Sequence, residues 1–74
     1  MPEKYVVVEI QTNADGTVGN LVTAYDNRLA AESAFHGILA AAAISDKPVH
    51  AAVLLTNEGV MRNAESYTHG EVAG

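Results

Sequence analysis

The alternation of apolar and polar positions along the chain predicts four β-strands arranged around one helix. Residues 5–12, YVVVEIQT, are rich in β-branched and aromatic side chains, residues 49–56 read as a second such strand, and residues 60–68 follow its loop as the returning strand. Residues 26–45, DNRLAAESAFHGILAAAAIS, instead carry apolar side chains at helical spacing. The predicted order is therefore ββαββ, an α+β fold with two antiparallel hairpins and one helix packed on one face of the sheet.

The helix has an interpretable start and an apolar stripe. Asp26 or Asn27 can cap it, because a short side-chain oxygen accepts from the free amides of the first turn. Arg28 can pair with Glu32 one turn later. Gly37 lowers helix stability by roughly 1 kcal/mol relative to alanine, and a closely packed neighbour is one explanation for it. The predicted buried stripe comprises Ala31, Ala34, Phe35, Ile38, Ala41 and Ala42.

Both hairpin loops have the same turn chemistry. Residues 13–17, NADGT, place Gly16 where a three-residue loop with a bulge needs a left-handed residue, and Gly59 holds the same place in the second hairpin. The match indicates either a faint internal repeat or two uses of a common turn. In the resulting register, we expect Val8 opposite Val22 and Val6 opposite Ala24.

The two faces of the predicted sheet are both apolar. We expect the helix to bury the face of Val6, Val8 and Ile10. A half-solvated antiparallel sheet normally alternates between apolar and polar positions, so the opposite face should also be covered. We therefore expect a homodimer or larger homo-oligomer, with an interface formed by Tyr5, Val7, Leu21, Tyr25, Leu54 and Val60.

Length and composition support one small domain over residues 1–74, with residues 70–74 as a flexible tail. A chain of this size buries only about 60% of its unfolded surface. It has no cysteine to compensate, so oligomerisation is the remaining common remedy. The net charge of −5 argues against duplex nucleic acid or an anionic membrane as the partner. Neither a signal peptide nor a membrane span is recognisable, and we expect a cytoplasmic protein.

No motif in the sequence specifies a reaction. The histidines His36, His50 and His69 suggest a metal site, but no third ligand accompanies the Glu32–His36 spacing. The serines lie in no nucleophile motif. We therefore predict no catalytic residue, no metal and no cofactor, and we expect a protein that is not an enzyme.

The start of the helix is the best candidate for a ligand site. Free amides at a helix N-terminus attract anions. Arg28 adds a planar donor group, Tyr25 an aromatic ring and Asn27 an amide, and Arg62 projects from an apolar strand face. The predicted site for an anionic small molecule forms across an oligomer, where Arg28 and Arg62 meet between subunits, and it comprises Tyr25, Asn27, Arg28 and Arg62. The alternative is a capped helix with two solvated arginines.

Three segments, YVVVEIQTNADGTV, VTAYDNRLAAESAFHGILAAAA and PVHAAVLL, carry a resemblance to known sequences. Together they cover most of the chain, which resembles a group of small phage and prophage proteins of gut Firmicutes with no assigned function. The resemblance implies a context, the cytoplasm of a host cell, and transfers no site residue.

A phage context makes two functions natural. The first is a homo-oligomeric module that sequesters a small ligand, such as a nucleotide-type immune signal, and so counters host defence. The alternative is a phage structural or protein-inhibiting factor that acts through its apolar sheet face or its acidic surface.

Overall fold

A computed structural model describes residues 4–69, which form four strands and one helix. The elements are β1 (Tyr5–Thr12), β2 (Val18–Tyr25), α1 (Arg28–Ala43), β3 (Val49–Thr56) and β4 (Met61–Thr68). The predicted ββαββ fold is thus confirmed. All neighbouring strands are antiparallel, in the order β2-β1-β3-β4, so that the first strand of each hairpin lies in the middle of the sheet. The predicted flexible tail, residues 70–74, lies outside the described residues.

The two hairpin loops are built as the glycines predict. Gly16 has φ of 90° and Gly59 has φ of 85°. In the first loop the amide of Asn13 donates to the carbonyl of Thr17 at 2.8 Å, and the second loop forms the equivalent bond at the same length. A positive φ is strained for residues with a Cβ atom, so these two positions favour glycine.

The predicted register of the first hairpin is also confirmed. Val8 pairs with Val22, and Val6 pairs with Ala24. The pairing of β1 with β3 extends this register across the centre of the sheet, where Val8 also lies opposite Val53.

Asn27, and not Asp26, caps the helix. Its side-chain oxygen accepts from the amide of Ala30 at 2.8 Å. At the other end, Nε2 of His69 lies 2.6 Å from the carbonyl oxygen of Ala42. Because a carbonyl only accepts, His69 donates this bond, which satisfies a terminal helix carbonyl and ties the end of β4 to the helix.

The helix buries Ala31, Phe35, Leu39 and Ala42, with Ala34 and Ile38 partly buried. The predicted stripe included Ala41, which is exposed, and omitted Leu39. Positions 35, 39 and 42 continue one line at spacings of four and three residues. The two large side chains of this line, Phe35 and Leu39, pack into the core with the sheet.

The helix covers the sheet face opposite to the one we predicted. Tyr5, Val7 and Leu54 are buried in the core beneath it, so their prediction as an exposed oligomer interface is wrong. Alternation separates the two faces of a strand but does not say which one a helix will cover. That choice depends on the direction in which the two residues between β2 and α1 turn away from the sheet.

The other predicted interface residues are divided between core and surface. Tyr25 is partly buried against the core. Leu21 and Val60 are exposed. Leu21 shares the helix-facing side of the sheet, since it pairs with Glu9, but lies on the outer strand β2.

The face without the helix, called the open face below, is uncharged and mostly apolar. Register and alternation place Val8 and Val53 at its centre. The full set is Val6, Val8, Ile10, Thr12, Val18, Asn20, Val22, Ala24, Val49, Ala51, Val53, Leu55, Met61, Ala64, Ser66 and Thr68. None of these side chains is charged, and no helix or strand of residues 4–69 covers them.

The described part of the chain contains no helix with the length and apolar character needed to cross a membrane.

Gly37 does not mark a close contact. A Cβ atom added there would meet nothing within 4 Å, and the residue is exposed on the outer side of the helix. The packing explanation offered for this glycine is therefore wrong, and the position carries only the low helix propensity of glycine.

This difference between glycines gives a stability prediction. Gly37→Ala should raise the free energy of unfolding by about 0.5–1 kcal/mol, because alanine loses less backbone entropy in a helix. Gly59→Ala is the matched control, since its surroundings are equally open but its φ is positive. It should lower the free energy of unfolding by about 1 kcal/mol. Urea denaturation measures both, and a destabilising Gly37→Ala would contradict the assignment.

Candidate functional site

The two arginines line one cavity within a single chain. The cavity, called the arginine cavity below, has a volume of about 280 Å³ and is lined by Tyr5, Arg28, Glu32, Leu54 and Arg62. It lies at the end of the sheet where the helix begins. The sequence suggested that the two arginines meet between subunits, whereas the fold brings them together within one chain.

An irregularity in β4 accompanies Arg62. Leu54 pairs with Asn63, but the next residue, Leu55, pairs with Met61. Arg62 is therefore the extra residue of a β-bulge, which re-aims side chains and recurs next to functional sites. The bulge allows Met61 to share the open face while Arg62 lines the cavity on the helix side.

The cavity concentrates positive charge in an acidic chain. Arg28 Nε lies 3.4 Å from Glu32 Oε2, the predicted pair one turn apart on the helix. Both side chains are substantially exposed, so this pair is worth only about 0.3–0.5 kcal/mol. With Arg62 the lining carries two positive charges and one negative charge, whereas the chain as a whole carries −5.

Two of the predicted ligand residues do not line the arginine cavity. Asn27 uses its side-chain oxygen to cap the helix. Tyr25 packs against the core, where it pairs with Tyr5 across the strands. The aromatic ring at the cavity is that of Tyr5, which sequence reasoning had assigned to an oligomer interface.

A lysine also lies at this end of the sheet, where a carboxylate balances its charge. Nζ of Lys4 bonds to the carboxylate of Asp26 at 2.8 Å, just before the helix cap. This bond lowers the pKa of Asp26 below its ordinary value. Three of the four fixed cations therefore lie near the start of the helix.

A second polar cluster lies beneath the helix and was missed in the sequence. Nε2 of His50 donates to Oε2 of Glu9 at 2.7 Å, and Nε2 of Gln11 donates to the same oxygen at 3.0 Å. The imidazole is buried and the carboxylate largely so. The hydrogen bond from His50 holds the pKa of Glu9 below its ordinary value, although burial acts in the opposite direction.

This cluster has a structural explanation. Glu9 and Gln11 face the helix side of β1, and His50 pairs with Gln11 on the neighbouring strand. A buried carboxylate is tolerated when charged or strongly polarised donors surround it. The remaining nitrogen of the imidazole, Nδ1, is buried and has no hydrogen-bond partner among residues 4–69.

A shallow groove borders the same cluster at the outer strand β2. It has a volume of about 260 Å³ and is lined by Glu9, Gln11, Gly19, Asn20 and Leu21. Gly19 leaves space above Gln11, because a Cβ atom there would meet nothing within 4 Å. The groove contains no positive charge, so it does not suit the anionic ligand that the arginines suit.

The histidines are not gathered into a metal site. Among residues 4–69, no three His, Asp or Glu side chains are grouped as metal ligands. His36 is exposed on the helix, His50 bonds to Glu9, and His69 bonds to the helix end.

The chain was compared with models of protein families, with curated proteins and with solved structures. None of the three comparisons gave a match.

The pair of Glu9 and His50 predicts a pH-dependent contribution to stability. Above pH 4.5, the ordinary pKa of the carboxyl group, Glu9 is ionised in both the folded and the unfolded chain, and its full contribution is present. As the pH falls towards the lower pKa of the folded state, the unfolded chain binds the proton first and the contribution is lost. Glu9→Gln should lower the free energy of unfolding at pH 7 by about 1 kcal/mol, the difference between a charged and a neutral hydrogen bond.

Denaturation at a series of pH values checks this prediction. The difference in free energy of unfolding between the wild-type protein and Glu9→Gln should become smaller below pH 4.5. Glu65→Gln is the control, because it removes the same charge from an exposed position on the same sheet face. Parallel pH profiles for Glu9→Gln and the wild-type protein would contradict the assigned pair.

Proposed function

We propose that this chain is a non-catalytic, homo-oligomeric binding module that holds an anionic small molecule in the arginine cavity. The observation that carries the proposal is the convergence of Arg28 and Arg62, one from the helix and one from a strand bulge, on a cavity that Tyr5 also lines. The lining contains no serine, threonine, cysteine or histidine, and its one hydroxyl is the phenol of Tyr5. This favours binding over covalent chemistry.

Arginine suits the recognition of phosphate or carboxylate groups. Its planar guanidinium donates two parallel hydrogen bonds, and it remains charged at any physiological pH. The net charge of −5 weakens long-range attraction of an anion, but salt screens charges beyond about 8 Å. Among the residues that line the cavity, the two arginines outnumber the single carboxylate, that of Glu32.

The cavity size limits what one chain can enclose. Pockets that bury most of a drug-sized ligand have volumes of roughly 300–1,000 Å³. The arginine cavity, at about 280 Å³, is smaller. We therefore expect it to hold the anionic end of a ligand, such as a nucleotide phosphate, while the rest of the ligand extends over the neighbouring surface.

The resemblance to phage and prophage proteins suggests that this binding would counter host defence. A small module that binds a nucleotide-type immune signal without converting it would lower the free concentration of that signal in the host cytoplasm. Sequestration of this kind requires affinity and abundance, and it requires no catalytic group.

A second candidate function is supported by the open face. The largest apolar patch of a protein is often functional, and this one carries no charged side chain. In this alternative, the chain is a phage structural or protein-inhibiting factor that binds another protein through its open face or its acidic surface.

The two arginines provide the test of the ligand proposal. Isothermal titration calorimetry would be run with nucleoside monophosphates, nucleoside diphosphates and cyclic nucleotides. Arg28→Ala should weaken the binding of the preferred compound by about 1.5–3 kcal/mol, the range for a hydrogen bond to a charged group. Its melting temperature should change by only a few degrees, because the pair with Glu32 is exposed.

Lys47→Ala is the matched control. It removes one positive charge at the opposite end of the sheet, where Lys47 bonds to Asn13 in the first hairpin loop. Its affinity should equal that of the wild-type protein. If no compound binds below about millimolar concentration, the sequestration proposal is replaced by the protein-partner function. If Arg28→Ala and Arg62→Ala both bind as tightly as the wild-type protein, the arginine cavity is not the site.

A further inference from the structure

The charges of the sheet lie on the side that the helix covers. Glu9, Glu65 and His50 all belong to that side, while the open face has no titratable side chain. This distribution is the reverse of the usual one, in which the solvated face of a sheet carries the charges. The open face is thus built for a buried environment.

The open face is also continuous and regular. Val22, Val8, Val53 and Ala64 form one unbroken row across all four strands. On the outer strand β2, Val22 remains 59% exposed. Branched side chains in register make a flat apolar surface that can interdigitate with another sheet.

The size of this surface fits a specific interface. Four strands of eight residues have an outline of roughly 19 by 26 Å, or about 500 Å², from ordinary strand spacings. Twelve of its sixteen side chains are apolar, so the apolar part of this outline lies within the range of about 300–600 Å² for the largest apolar patch of a typical monomer. Two such surfaces together bury about 1,000 Å², the lower limit for a specific protein interface.

We propose that the open face packs against the open face of a second copy of this chain, to give a two-fold symmetric dimer with a helix on each outer side. A two-fold interface requires a surface that is complementary to itself. An uncharged apolar face meets this condition, because its contact with a second copy brings no like charges together. Packed sheets are about 10 Å apart, so the acidic helix sides of the two chains remain on opposite outer surfaces.

A permanent partner suits this chain better than an occasional one. Its core is small, and three of its fully covered residues, Ala31, Ala42 and Ala52, are alanines. A domain of this size gains much of its stability from further burial. A second copy is available whenever the chain is made, whereas an open face awaiting another protein would stay in contact with water.

This inference rests on the homo-oligomer of the proposed function and names its interface. It also has a consequence for ligand binding. The arginine cavity lies on the helix side, so dimerisation through the open face leaves one accessible cavity on each outer surface. The dimer should therefore bind one anion per chain at two separate sites, and the arginines of the two copies should not combine.

Two neighbouring residues of β2 provide a matched test. Val22 belongs to the open face, while Leu21, which is 63% exposed, points to the helix side. Val22→Lys and Leu21→Lys add the same charge to the same strand at nearly equal exposure. Sedimentation equilibrium at micromolar concentration should give a dimer for the wild-type protein and for Leu21→Lys. It should show at least about a tenfold weaker dimer for Val22→Lys, because the interface would bury the new charge.

Ala64→Lys is a second variant on the other outer strand, at the end of the same row, and should weaken the dimer as Val22→Lys does. Circular dichroism should show all three variants to be folded, because these positions are exposed in the single chain. A wild-type monomer at micromolar concentration would overturn the inference and favour another protein as the occupant. A wild-type dimer that both open-face variants leave intact would also overturn it, although the homo-oligomer of the proposed function would stand.

Nucleotide titration of the same proteins separates the two proposals. If the Val22→Lys variant dissociates while the wild-type protein is a dimer, that result supports this interface even if no nucleotide binds. Binding of one nucleotide per dimer, instead of one per chain, would contradict the arrangement with two outer cavities.

Discussion

The fold depends on the antiparallel pairing of β1 with β3. Each hairpin is a two-stranded unit that is marginally stable alone. Their pairing places Val7 opposite Leu54, and both become part of the core that Phe35 of the helix completes. The same register puts Glu9 and Gln11 beside His50 and so allows the buried hydrogen bonds to form. Without this contact between distant segments, neither the covered face nor the arginine cavity would exist.

Local chemistry made the hairpins and the helix predictable. Gly16 and Gly59 specify their loops through a backbone conformation that other residues resist, and each loop fixes the register of its own hairpin. Asn27 and Asp26 were both acceptable caps from the sequence, and only the path of the chain decides between them. These features depend on neighbours within a few residues.

The long-range features were harder to predict because the signals conflict. Val6, Val8 and Ile10 are more apolar than Tyr5, Val7 and Glu9, so burial alone favours the wrong face for the helix. The helix instead covers a face whose polar groups satisfy one another. Glu9 and His50 could not be paired beforehand, since their contact requires the β1–β3 register. Arg28 and Arg62 line one cavity of a single chain, whereas the sequence suggested that they meet between subunits, and the bulge that accompanies Arg62 has no clear signature in the sequence.

The arrangement divides the molecule into two surfaces with different physical roles. Hydrophobic contacts at the open face are non-directional, which suits association with an equally apolar surface. The helix side offers directed donors in a small cavity, which suits a compact anion. The bulge at Arg62 lies at the boundary, because it leaves Met61 with the apolar face and Arg62 with the cavity. Since the sheet separates the two surfaces, a chain can associate through one of them and still present the other to a ligand.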